Sequence, residues 1–334
     1  MKIAVVGASG AVGREMLSEL YFLLKRLRIK AEVFAFASSK SAGTWLDFGP
    51  DQIRVEEYEL AKLEGFSFAL LSAGSTFSRA QSPAISELGV RVIDNSSAFR
   101  GDESFSLIVP EVNGQELLGG KVKKGIIANP NCSTIQLVVC LKPLQDVFGL
   151  AGVWVSSYQS VSGTGQNGIA ELLLQEKSAG HRLPSVYSNT IYNNVLSFIG
   201  AFDEQGHCEE EQKIVRESRR LLSAPSLPVF AHTARVPVTN CHCESVTVEL
   251  QREVELSEIL AVFEKSESIV LERVNEAKRM PSPKEWTGQR KVSVSRVRLP
   301  FGEKVSRFVS FWNISDNLKK GAATNAVQIL ERLL

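Results

Sequence analysis

The chain has 334 residues, 38 basic and 37 acidic side chains for a formal net charge of +1, and 44% hydrophobic residues. That length favours two domains over one core, and so even a charge balance argues against a broad electrostatic surface for nucleic acid or an acidic membrane. No apolar run reaches the roughly 18 residues that span a bilayer, and five cysteines, an odd number, point to reduced thiols in the cytoplasm rather than a disulfide framework.

The opening "MKIAVVGASG" reads as a buried strand and turn, not a secretory signal, because its apolar run is very short and ends in glycines. Residues 3–6 are short and β-branched, as in a parallel strand covered on both faces. Val12, Met16, Leu17 and Leu20 then recur at helical spacing. The turn between them, Gly7-Ala8-Ser9-Gly10-Ala11-Val12-Gly13, has a G-x-x-G-x-x-G pattern. Such glycines let the backbone approach a pyrophosphate at a helix N-terminus. The pattern departs from the usual G-x-G-x-x-G, and glycine turns also join strands to helices where no nucleotide binds.

"AEVFAFAS" is a second strand and runs into Ser38, Ser39, Lys40 and Ser41. An NAD site usually carries an Asp or Glu there for the ribose hydroxyls. Hydroxyls and a cation suit a 2′-phosphate instead and favour NADP, although an ordinary polar loop has the same composition. "FSFALLSAG" is a third strand, ending at Ser72 and Gly74. "SRAQSPAISELG" is a helix closed by Gly89, and "VRVIDNSS" and "GIIANPNC" are further strands. Strands alternating with helices predict a doubly wound parallel sheet.

"NPNCSTIQ", residues 129–136, places a lone thiol ahead of an apolar run. Asn131 suits a helix cap, and residues 133–141 suit the helix. Cys132 then sits in the first turn, where the dipole and backbone N–H groups favour a thiolate and can hold an oxyanion beside it. The position fits a nucleophile that forms a thioester. From the residues alone, a small, partly buried cysteine is the more ordinary reading of the same position.

Beyond about residue 150, "VWVSSYQSVSGTG", "SVTVELQREV", "KVSVSRVRLP" and "RFVSFWNIS" alternate as strands. They predict a second domain on a larger mixed or antiparallel sheet whose core can continue into a subunit interface. "LKKGAATNAVQILERLL" is an amphipathic closing helix.

Taken together, "GASGAVG", "NPNCST", "SSAFR", "YQSVSGTG", "EEEQK", "RVPVTNCHCE" and "DNLKKGAATNAVQI" resemble the aspartate-β-semialdehyde dehydrogenase family along nearly the whole chain. The resemblance implies an α/β fold. A Rossmann-like NADP-binding domain would span residues 1–128 with the C-terminal helix 315–334, and an α+β catalytic and dimerisation domain with a mixed sheet would span 129–314. It implies NADPH-dependent reduction of aspartyl phosphate by a cytoplasmic homodimer, feeding lysine (through diaminopimelate), threonine, methionine and isoleucine synthesis. The partners would be a small-molecule substrate and phosphate, with no nucleic acid and no membrane.

The site roles follow from the same resemblance. Cys132 is the nucleophile, His242 the proton shuttle and Gln159 the orienting side chain. Arg235 would clamp the substrate carboxylate, and Glu210 would take its ammonium. Arg100, Lys213 and Asn131 would hold phosphate. Gly7, Ala8, Ser9, Gly10, Ala11, Val12, Ser38, Ser39, Ser41, Ser72, Gly74, Ser162, Gly163, Gly165 and Asn317 would line the cofactor. Each also has an ordinary reading: Glu210 and Lys213 as a solvated pair on a charged helix, Arg100 as a surface charge, His242 as a core histidine.

The family usually reads Gly-His-Ser-Glu where this chain has Cys241-His242-Cys243-Glu244. A backbone needing φ > 0 at Cys241 would be strained. His207, Cys208, Cys241, His242 and Cys243 suggest a metal, but their spacings do not match zinc knuckles, and no metal is expected. Two alternatives remain. One is another thiol-dependent acyl-phosphate reductase, such as N-acetyl-γ-glutamyl-phosphate reductase. The other is a non-catalytic relative that binds nucleotide.

Overall fold

The computed structural model describes residues 1–118, 125–273 and 280–334. They form two compact units, residues 1–130 with 322–334, and residues 131–321.

In the first unit, β1 (Lys2–Val6) leads through the glycine turn into α1 (Ala11–Leu27). Then come β2 (Glu32–Ala37), β3 (Trp45–Phe48), β4 (Asp51–Glu57), β5 (Phe68–Leu71), α2 (Ser75–Glu87), β6 (Arg91–Asp94), β7 (Ser106–Leu107), α3 (Pro110–Asn113) and β8 (Ile126–Ala128). Eight described strands align as β3-β4-β2-β1-β5-β6-β8-β7, parallel except for the β3–β4 pair. The doubly wound parallel sheet is thus present, with an antiparallel edge. Strand order reverses at β1, which pairs with β2 on one side and β5 on the other. The crevice outside the C-terminal ends of strands at such a reversal is where open α/β sheets bind ligands. Ile3, Val5, Met16, Leu17 and Leu20 anchor the core with Ile329 and Leu330 of the C-terminal helix Thr324–Leu333.

The second unit opens with α4 (Cys132–Phe148) and β9 (Leu150–Gln159). It continues with α5 (Gln166–Lys177), α6 (Glu209–Leu221), β10 (Val229–Arg235), β11 (His242–Glu255), α7 (Leu256–Lys265), β12 (Ile269–Glu272), α8 (Pro283–Trp286), β13 (Val292–Arg298) and β14 (Val305–Ser315). Its mixed sheet has the order β10-β9-β11-β14-β13-β12. Side chains alternate across it. Val153, Val155, Val246, Val248, Val309 and Phe311 are buried, and α4 packs against β9, β11, β13 and β14.

Two boundaries differ from the sequence reading. The helix expected over 133–141 runs on to Phe148 through Pro143. Burial of Leu144 and Phe148 offsets the interior-proline cost of about 3 kcal/mol. The units also divide differently from the domains expected: residues 129–130 fall in the first unit and residues 315–321 in the second. Asp316 accepts from Asn240 and Gly288, and Asn317 accepts from Ser160, Ser162 and Cys241. The last segment begins as a wide π-helical turn, Lys319–Ala323, before the regular C-terminal helix.

Candidate active site

The first unit provides a glycine cradle at its sheet reversal. Gly7 has φ +82°, and a Cβ there would lie 2.3 Å from Ser72 O. One at Gly13 would lie 2.2 Å from Gly7 O. These two glycines let β1, β5 and α1 meet closely. Gly10 is the N-cap of α1 and its residue supplies no side-chain cap, so the helix end suits an anion. Ser38, Ser39 and Lys40 follow β2 with exposed side chains, while Ser41 N–H donates to Ser38 O at 2.9 Å and tightens the turn. Ala8, Ser9, Ala11 and Val12 complete the turn, and Gly74 (φ +86°) is the N-cap of α2. No carboxylate stands among residues 38–41. This donor set fits a dinucleotide carrying a 2′-phosphate. Arg100, also in this unit, donates from Nη2 to Asn95 O at 2.7 Å.

In the second unit the expected residues converge on one end of the mixed sheet. β9 and β10 run parallel and end there with Gln159 and Arg235, which are register partners. β11 runs the other way and starts there with His242. Cys132 is the first residue of α4 and is half-buried. Asn131 caps that helix, its Oδ1 accepting from Ser133 N–H at 3.0 Å and Thr134 N–H at 3.2 Å. The cap therefore occupies two of the first-turn donors that the sequence reading offered to an oxyanion.

Glu210 links these elements. It is buried, and its Oε1 accepts from Asn131 Nδ2 at 2.9 Å and Gln159 Nε2 at 3.0 Å. Glu217 Oε2 accepts the Asn131 N–H at 2.7 Å. Lys213 pairs with Glu209 at 2.9 Å and lies 3.9 Å from Glu210, so Glu210 and Lys213 belong to the site end of α6 rather than to a purely solvated face.

His242 is fully buried. Its Nδ1 accepts the Ser160 N–H at 3.1 Å and lies 3.1 Å from Ser160 Oγ. An Nδ1 that accepts a backbone N–H carries no proton, so the neutral ring holds its proton on Nε2. Nε2 is buried without a protein partner. Burial, and secondarily the Arg235 guanidinium, pushes the ring's pKa well below the ordinary histidine range. His242 is thus a neutral donor at Nε2. Ser160 escaped the sequence reading although it lies beside Gln159, because its role depends on the antiparallel β9–β11 pairing.

Arg235 is buried, and its Nη1 donates to Ser160 O at 2.8 Å. Among the described residues no carboxylate lies within ion-pair distance of it. A buried guanidinium without a counter-charge is costly and suits an anionic ligand. Gly163 makes room for it: a Cβ there would fall 2.7 Å from Arg235 Nη1 and 3.2 Å from His242 Nε2. Asn317 Oδ1 accepts from Ser160 Oγ, Ser162 Oγ and the Cys241 N–H, and Gly165 (φ +78°) ends the loop.

Cys241 has φ +70°, the left-handed backbone anticipated where relatives have glycine. Burial pushes the Cys241 and Cys243 thiols up to about 12, and Cys140 well above the ordinary range. Buried thiols with raised pKa values carry little thiolate at neutral pH. Among the described residues no group of three or more His, Cys, Asp or Glu side chains gathers to hold a metal. Cys208 instead contacts Thr233 Oγ1 at 3.1 Å.

A Rossmann-like unit with a glycine turn, joined in one chain to a mixed-sheet unit that presents a helix-start cysteine and a buried histidine, is the make-up of a dinucleotide-linked dehydrogenase. The semialdehyde dehydrogenase NAD binding domain matches residues 2–119, and the semialdehyde dehydrogenase dimerisation domain matches residues 141–320. The aspartate-semialdehyde dehydrogenase of Aquifex aeolicus is 38% identical over 100% of this chain and 98% of its own, and that of Bacillus subtilis 36% over 100% and 97%. A crystal structure of aspartate semialdehyde dehydrogenase II from Vibrio cholerae, complexed with ASA, superposes with a TM-score of 0.91 at 36% identity, covering 99% of this chain and 97% of that one. The chain belongs to the aspartate-semialdehyde dehydrogenase family.

Proposed function

We propose that the protein reduces L-4-aspartyl phosphate to L-aspartate 4-semialdehyde and phosphate, with NADPH as reductant and Cys132 as the covalent carrier. The observation that carries this reading is His242: a buried neutral ring, fixed at Nδ1 and open at Nε2, on the sheet end that also carries Gln159 and Arg235. The Cys132 thiolate attacks the acyl carbon. The C–S bond forms, the C–O bond to phosphate breaks, and the Nε2–H of His242 donates to the acyl oxygen as negative charge grows there. NADPH, when bound, supplies the hydride that reduces the thioester. The hemithioacetal oxyanion then collapses, the C–S bond breaks, and the aldehyde leaves with Cys132 again a thiolate.

Arg235 takes the substrate α-carboxylate in a forked pair. Glu210 holds Gln159 and Asn131 in place and offers its charge to the substrate ammonium. Lys213 and the second N–H of the Asn131 amide serve phosphate. The cradle of residues 7–13 with Ser38, Ser39, Ser41, Ser72 and Gly74 holds the dinucleotide in the first unit, and Ser162, Gly163, Gly165 and Asn317 are the second unit's own candidates for cofactor contact.

The working form proposed is a cytoplasmic homodimer. Its support is the dimerisation-domain match and the outer face of the mixed sheet, which exposes Trp154, Tyr158, Phe230 and Phe308. Among the described residues no helix is long and apolar enough to cross a membrane.

The testing assay runs in reverse, following NADPH formation from aspartate semialdehyde, NADP and phosphate. Strict dependence on phosphate is expected. Activity with N-acetyl-glutamate semialdehyde instead would move the substrate to the neighbouring acyl-phosphate reductases, and no turnover with either would favour a nucleotide-binding relative.

A further inference from the structure

Gln136, Asn313 and Glu244 have no part in the chemistry above, yet all three are fully buried beside it. Gln136 lies one helical turn after Cys132 on α4. Glu244 and Asn313 are cross-strand partners on β11 and β14, and Glu244 follows His242 by two residues on the same sheet face. The three side chains form a hydrogen-bonded chain. Asn313 Nδ2 donates to Glu244 Oε2 at 2.8 Å, and Gln136 Nε2 donates to Asn313 Oδ1 at 2.7 Å. Gln136 Nε2 lies 3.5 Å from the His242 carbonyl oxygen.

Two oxygens of this chain of contacts, Gln136 Oε1 and Glu244 Oε1, are buried without a donor. An ionised Glu244 would leave a charged oxygen buried with no hydrogen bond, which is costly, whereas a proton on the carboxyl removes that charge.

We propose that Glu244 is held as a neutral carboxylic acid and that the Gln136–Asn313–Glu244 chain is a positioning device, which locks the first turns of the nucleophile's helix to the strand carrying His242. The surroundings agree. The titratable groups that act on Glu244 are the buried Cys140 thiol of α4 and the Glu210 carboxylate of α6. Among the described residues it has no cationic partner. Burial, reinforced by the Glu210 charge, pushes its pKa up to about 8. With a raised folded-state pKa, the stabilisation is full below the unfolded value of about 4.3 and is lost as pH rises towards the folded one.

The test compares wild type with Glu244→Gln, Glu244→Leu and Gln136→Leu. The amide of Glu244→Gln replaces the O–H donor and keeps the Asn313 bond. It should retain kcat within about three-fold of wild type, while either leucine variant loses about ten-fold or more in kcat with a smaller change in KM. Thermal stability of wild type should fall between about pH 5 and pH 8 relative to Glu244→Gln, which lacks that slope. Wild type at neutral pH should also show the infrared C=O band of a buried protonated carboxyl, absent from Glu244→Gln. Parallel pH–stability curves, or no such band, would overturn the neutral carboxyl. A Glu244→Gln variant that folds but loses activity as the leucine variants do would overturn the positioning role. The kinetic arm rests on the reaction proposed above, whereas the stability and infrared arms do not, so failure of one is distinguishable from failure of the other.

Discussion

Replacing Arg235 by leucine should damage both substrate binding and turnover. The guanidinium is 5% exposed and has Ser160 O as acceptor at 2.8 Å, with no carboxylate within ion-pair distance among the described residues. A forked pair to the substrate carboxylate would contain two charge-assisted bonds, each worth about 1.5–3 kcal/mol. Losing both lowers kcat/KM by about 10²–10⁴-fold, since every 1.4 kcal/mol is about tenfold. Part of the loss should appear in kcat, because Arg235 also holds the carbonyl of the residue whose N–H fixes His242. The guanidinium is one cause of the depressed His242 pKa, so that pKa should rise in the variant, by less than full relief because burial remains the larger cause. Steady-state kinetics with aspartate semialdehyde, and with an aldehyde lacking the carboxylate, separate the effects. The charged substrate should lose heavily and the uncharged one little. Equal losses for the two, or an unchanged KM for aspartate semialdehyde, would refute the clamp.

Other substitutions probe the remaining parts. Cys132→Ala should abolish turnover and leave NADP binding, measured by titration, intact, and Cys132→Ser should be nearly as inactive because an alkoxide is far harder to form than a thiolate. Ser38→Asp should weaken NADP by about ten- to a hundred-fold and spare NAD, since a carboxylate repels the 2′-phosphate; kcat/KM for both cofactors reads this. Gly163→Ala should lower kcat and raise KM together, because its Cβ would stand 2.7 Å from Arg235 Nη1. Cys241→Gly should stay within about 1 kcal/mol of wild-type stability, as relief of a left-handed residue worth about 1–2 kcal/mol offsets the lost thiol burial; denaturant melts check it.

The nucleotide unit was largely legible in the sequence because its signals are local. The β-branched run at residues 3–6, the glycines at 7, 10 and 13 and the Asn131 cap each act over a few positions. The edge strands β3 and β4 were missed, because "WLDF" and "DQIRVEE" are short, polar and exposed, without the apolar alternation of a buried strand. Family resemblance offered the candidate site as a set of residues, but not the couplings between them. Ser160 reaches His242 across 82 positions and Gln136 reaches Asn313 across 177, and only the strand register brings them together. The same register fixes the tautomer of the His242 ring. The φ of Cys241 could be anticipated because a glycine in relatives is a backbone statement.

The most direct test of the covalent account is to mix the protein with aspartyl phosphate in the absence of NADPH, quench in acid and map the adduct by mass spectrometry. The account predicts release of phosphate and an aspartyl thioester on Cys132, discharged to aspartate semialdehyde when NADPH is added before the quench. Phosphate release or full turnover with Cys132 unmodified, or an adduct on another residue, would contradict it.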